Sequence, residues 1–145
     1  MKKVLFIAVL SVTLFSTSCT KEYITQEYTG GNADMSTVDF SVLDSEWGIV
    51  GTKGTVGFGY VVDLSFPELT DNVIQNGMVS LYVELDGAWI PVPVYFYNEF
   101  EGVLYQGGYF YRMRKGVFSI DYYESDGNTN NPGTQNFRLV IVQPY

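Results

Sequence analysis

The chain contains no histidine and only one cysteine, Cys19. Without histidine, Ser-His-Asp and Cys-His catalysis and the usual zinc ligand sets are excluded. A single cysteine forbids an intramolecular disulfide, so any folded domain must be stabilised by its core. Basic charge is scarce: eight Lys and Arg stand against sixteen Asp and Glu, for a net charge of −8. Nucleic-acid binding needs a basic stripe, and the one basic cluster, Arg112-Met113-Arg114-Lys115, reads as a solvated strand end. No nucleic-acid partner is expected. Long apolar runs are missing too. Val4 to Phe15 is interrupted by Ser11 and Thr13 and falls short of the roughly 20 apolar residues of a spanning helix.

The placement of that run carries the first positive signal. Met1-Lys2-Lys3 makes a basic start, the apolar segment follows, and Ser16-Thr17-Ser18 supplies small residues just before Cys19. This is the layout of a secretory signal of the lipoprotein kind. The expectation is cleavage after residue 18, lipidation of Cys19 and attachment to an outer membrane, on its cell-surface or its periplasmic face. Several acyl chains hold firmly, each buried methylene contributing about 0.8 kcal/mol. Loss of residues 1–18 removes Lys2 and Lys3 and no acid, moving the net charge from −8 to −10. Residues 19–36 are polar, break at Gly30-Gly31 and read as a tether. Fully extended, about 17 such residues reach roughly 55 Å. Residues 37–145 make one domain.

Within that domain the hydrophobic period is two. Val38, Phe40 and Val42 alternate with Asp39 and Ser41; Phe58 to Phe66, Val79 to Leu85 and Phe118 to Tyr122 behave the same way. Further strands are expected at residues 90–97, 104–113 and 137–143. The last is apolar on both faces and is expected at the centre of a sheet. Asp86-Gly87 suits a tight hairpin. Gly107-Gly108 suggests a break or bulge, and Pro91 and Pro93 suggest an edge strand. Thr70 and Gly77 bracket a short helical turn near 70–76, with Gly77 a candidate for the left-handed position after it. The predicted fold is all-β: an antiparallel β-sandwich of about 7–9 strands, with a small closed barrel as the alternative. Aromatics make up 17 % of the chain, enough to fill a core without disulfides, since each large ring buries about 150–250 Å². Trp47 and Trp89 are expected as core anchors.

Candidate functional residues are few. Tyr95, Tyr97, Tyr109 and Tyr111 are candidates for an aromatic row on one strand face, of the kind that stacks on sugar rings; the competing reading is core. Glu99, Glu101 and Asp121 are the carboxylates available to a small hydrolase, which needs two of them about 5–9.5 Å apart. Asp126, Asn128 and Asn130 fall at alternate positions, as in the first half of a calcium loop. Asn131 and Phe137 then stand where the glycine and the final acid belong, so the segment reads first as a polar turn. No cofactor is implied, and no catalytic residue is assigned.

Taken together, the chain resembles small β-sandwich lipoproteins of the Bacteroidota type, a group without an assigned activity. The resemblance rests on Val38-Asp39-Phe40-Ser41-Val42 with Glu46-Trp47, on residues 66–79 around Thr70-Asp71-Asn72-Val73, on Trp89-Ile90-Pro91-Val92-Pro93, and on the closing Phe137-Arg138-Leu139-Val140-Ile141-Val142. It implies a fold and an address, and carries over no catalytic residue. The function expected is that of a non-enzymatic, membrane-anchored envelope lipoprotein with a protein or glycan partner. A carbohydrate-binding accessory protein using an aromatic strand face is the alternative.

Overall fold

Residues that alternate along the sequence separate onto the two faces of a sheet in strand after strand. The computed structural model describes residues 28–29, 33–55, 57–100, 102–125 and 131–144, and these form ten strands in two sheets. The first sheet runs β1 (Tyr28–Thr29), β2 (Ala33–Val42), β10 (Gln135–Pro144), β5 (Met78–Leu85) and β6 (Ala88–Val92). The second runs β3 (Gly48–Val50), β4 (Gly59–Ser65), β9 (Val117–Glu124), β8 (Val103–Arg114) and β7 (Val94–Phe100). Every pairing is antiparallel. The fold is an antiparallel β-sandwich with open edges, as expected, rather than a closed barrel.

β10 is the axis of the first sheet, paired along its length with β2 and on its other side with β5. Phe137, Leu139 and Ile141 point inward beside Val38, Phe40 and Val42 of β2 and Val79, Leu81 and Val83 of β5, and all nine are buried. The second sheet answers with Tyr60, Val62 and Leu64 of β4, Phe118, Ile120 and Tyr122 of β9, and Tyr109 of β8. Rings join the layers: Tyr109 lies 5.7 Å from Phe137 across the interface and 4.9 Å from Tyr122 within its own sheet, and Trp47, just before β3, lies 6.4 Å from Phe137. Edge-to-face and offset pairs of this kind add to the area they bury.

The connections follow from turn chemistry. Asp86 and Gly87 both take positive φ, 51° and 76°, and close the hairpin that sets Leu85 opposite Ala88. That conformation matches the strand twist and favours Asp-Gly. Pro91 sits on β6, an edge strand, where a missing N–H costs no ladder bond. Pro93 follows a cis peptide where the chain leaves the first sheet for the second. Between β4 and β5, α1 (Asp71–Asn76) bridges the sheets. The Thr70 hydroxyl accepts from the Val73 N–H at 3.2 Å, and buried Val73 plugs the end of the core.

Three local expectations are corrected. Gly77 is not left-handed: its φ is −89°. It is glycine because an added Cβ would lie 2.5 Å from the Val142 carbonyl oxygen and 2.7 Å from that of Val73. Gly107-Gly108 neither breaks nor bulges β8, which keeps continuous register with β7 and β9. There the glycines make room for aromatic rings, since a Cβ on Gly107 would meet the Phe96 ring at 2.5 Å. Finally, the first sheet reaches further back than the alternation suggested. β2 begins at Ala33, opposite Pro144, and Tyr28–Thr29 pair with Asp34 and Met35. Residues 28–29 and 33–36 of the expected tether are therefore sheet.

Candidate functional site

The outward residues of the first sheet build a groove. Asp39 of β2, Arg138 of β10 and Tyr82 of β5 lie directly opposite one another across three strands. Each sits between inward apolar neighbours, so strand alternation alone turns it outward. The Arg138 guanidinium donates to both Asp39 oxygens, Nε to Oδ1 and Nη2 to Oδ2, each at 2.7 Å. This planar two-bond geometry is the strong form of the pair. The hydrogen bond to Asp39, aided by the charges of Asp39 and Glu84, holds the Arg138 pKa above its ordinary value against partial desolvation. Arg138 also lies over the indole of Trp89, 4.4 Å from the ring centre.

A second polar row runs beside the first. The Ser41 hydroxyl donates to Asn136 Oδ1 at 2.6 Å, and Asn136 Nδ2 donates to Glu84 Oε2 at 2.9 Å. Glu84 stands opposite Trp89. The hollow over the first row holds about 480 Å³ and is lined by Arg138, Asp39, Val140, Met35, Tyr82 and Trp89. A second hollow of about 380 Å³ shares Asp39 and Trp89 with it and is lined by Ser41, Glu84 and Asn136. Trp89 is half-buried on the outer face and is no core anchor; Trp47 is, buried and donating its Nε1–H to the Gly133 carbonyl at 2.9 Å.

The four tyrosines predicted as one face are split. Tyr95 and Tyr97 are exposed, 59 % and 69 %, on the outer side of β7, an edge strand. Tyr109 and Tyr111 point the other way. Tyr109 is 2 % exposed, and Tyr111 stacks on Phe118 at 5.1 Å and donates its hydroxyl to the Val79 carbonyl of the first sheet. The cause is register: Tyr95 is opposite Gly108, whereas Tyr109 is opposite Val94. Tyr95 instead meets Phe110, which in turn meets Tyr123, over a hollow of about 230 Å³.

Of the candidate carboxylates, the two within the described residues, Glu99 and Asp121, do not converge. Both oxygens of Asp121 accept from Arg112, at 2.7 and 2.8 Å, and its side chain is almost covered. Glu99 is exposed on β7, separated from β9 by β8. Glu101 lies outside the described residues, as do Cys19 and the calcium candidates Asp126, Asn128 and Asn130. The end of that loop is described, and there Asn131 Nδ2 donates to the Asp44 carbonyl at 3.1 Å. Among the described residues no three His, Cys, Asp or Glu side chains converge as metal ligands, and no helix is long and apolar enough to cross a membrane.

One half-buried acid escaped sequence reasoning. Glu124 turns toward the interior at the end of β9, where its Oε1 accepts from the Tyr122 hydroxyl and its Oε2 is buried without a partner. Burial first, then the bond to Glu124 and its charge, push the Tyr122 phenol far above its ordinary range; burial and the Glu124 charge do the same to Tyr109. Only the parity shared with Tyr122 and Ile120 hinted at this.

Comparison with protein-family models, with curated proteins and with solved structures returned no match.

Proposed function

We propose that this chain is a lipid-anchored, non-enzymatic envelope lipoprotein that serves as a binding or structural module. The observation that carries the reading is the N-terminal arrangement: a basic start, a short apolar run and small residues ending at Cys19. The fold is consistent with it. The described sheet begins at Tyr28, nine residues after Cys19, so the intervening chain reaches at most about 30 Å. The domain then sits close to the membrane that holds the lipid, nearer than the roughly 55 Å expected of a longer tether. Its partners are the membrane, through the lipid, and a protein or glycan on the domain surface; an acidic chain is a poor partner for nucleic acid.

The non-enzymatic reading draws support from Asp121, whose oxygens are both committed to Arg112. The alternative of a carbohydrate-binding accessory protein loses its original platform, because Tyr109 and Tyr111 face inward. The grooved outer face of the first sheet offers another platform, where Trp89 lies beside the anchored Arg138 and Asp39.

The anchor is tested by metabolic labelling with a fatty-acid probe in the native host or a related bacterium. The full chain is expected to take up label and to fractionate with membranes, and Cys19→Ala to lose the label. An unlabelled wild-type chain overturns the reading. Protease treatment of intact and lysed cells then assigns the outer-membrane face.

A further inference from the structure

We propose that the groove on the outer face of the first sheet binds a neutral carbohydrate, with sugar rings laid along β10. The proposal rests on reading the chain as a binding module and names the ligand class of its surface. A pyranose presents a patch of C–H bonds on its ring face and a belt of hydroxyls that both donate and accept. The groove offers both complements on one wall. Trp89 and Tyr82 supply aromatic surface. Asp39, Arg138 and Asn136 supply planar polar groups that reach two hydroxyls at once.

These groups are held in place before any ligand arrives. Arg138 is fixed by two bonds to Asp39 and by its seat over Trp89. Asn136 is fixed by Ser41 on one side and Glu84 on the other. The Asp39 bonds use two of the five guanidinium N–H donors, and each Asp39 oxygen keeps a lone pair. Ligand-binding polar groups anchored on strands lose little freedom on binding. The two neighbouring hollows, about 480 and 380 Å³, share Asp39 and Trp89, and each lies in the range of small-ligand sites.

Charge selects among ligands. The groove carries Asp39, Glu84 and Arg138, an excess of one negative charge, on a chain of net −8. Phosphates, sulfated sugars and nucleic acids are repelled. A fatty chain would strip water from the Asp39–Arg138 pair on the groove wall without offering it a hydrogen bond. Neutral hydroxyl-rich rings fit what remains.

The test uses the full acylated chain, purified in detergent micelles, on a panel of neutral gluco-, manno-, galacto- and xylo-oligosaccharides with sulfated and uronic-acid glycans alongside. Binding to one or more neutral members is expected. Trp89→Ala should weaken it about tenfold or more, as loss of an aromatic anchor does. Trp89→Phe keeps a ring and should weaken it less. The double change Tyr95→Ala with Tyr97→Ala, on the other sheet, should leave it unchanged. Unaltered protein gives a second measurement. Trp89 is half-buried while Trp47 is buried, so the bound oligosaccharide should shield tryptophan emission from acrylamide. Binding that survives Trp89→Ala but is lost with Tyr95 and Tyr97 overturns the site, as does binding without shielding. Preference for the acidic glycans overturns the ligand class. Failure to bind any glycan overturns the inference, and crosslinking to an envelope protein then shows whether the module reading stands without it.

Discussion

Trp47 and Trp89 show how little a residue's type says of its use. Trp47 lies against Tyr109 and Phe137 with its N–H bonded to a carbonyl; Trp89, on an edge strand, turns outward because its neighbour Ile90 takes the inward position opposite Val83. Glu124 makes the same point for acids. It lies among Tyr60, Tyr109 and Tyr122, whose phenols are all raised, with burial the largest cause in each. The consequence for stability has a definite sign. The unfolded phenols ionise near pH 10, while the folded ones keep their protons to higher pH. Their contribution is therefore complete below about pH 10 and is lost as pH rises beyond it. Each fully protected phenol steepens the loss by about 1.4 kcal/mol per pH unit. Denaturant melts from pH 8 to 11.5 are expected to show this fall, and Tyr109→Phe to make it shallower by one group. Equal slopes in the two proteins would refute the assignment.

At the scale of elements, the connections are as specific as the strands. α1 is too short to be stable by propensity and depends on its Thr70 cap and on Val73 in the core. Thr70→Ala is expected to cost about 1 kcal/mol. Gly77→Ala should cost more, about 2–3 kcal/mol, because the new methyl meets two backbone oxygens that cannot move independently. Chemical denaturation of both variants checks the order, and an alanine at 77 cheaper than one at 70 would contradict it. Among the strands, β7 combines an open edge with exposed Tyr95 and Tyr97, and Pro93 just before it limits pairing at one end.

For the whole molecule, the two sheets stand or fall together. The core is continuous across both layers, rings link them, and the Tyr111 hydroxyl of one sheet bonds the Val79 carbonyl of the other. Four connections carry the chain between sheets, so neither layer is a segment that could fold by itself. One cooperative unfolding transition is expected, coincident by far-ultraviolet circular dichroism and by tryptophan fluorescence. Two separated midpoints would show independent layers.

Much of the architecture was legible in the chain. Alternation marked most strands, the doubly apolar run 137–143 marked a central one, and Thr70, Asp86-Gly87 and Pro91 marked a cap, a hairpin and an edge. These signals are local, since side-chain parity and turn conformation depend on a few adjacent residues. The site was not legible for the same reason. Asp39 and Arg138 are 99 residues apart, and they meet because β10 inserts between β2 and β5 in one register. A slip of one residue would exchange the faces. The sequence determined which residues alternate and where the chain turns. The tertiary structure decided which outward side chains share a face, separating four tyrosines and bringing Asp39, Arg138, Tyr82 and Trp89 together, because strand pairing is a long-range choice set by burying the core.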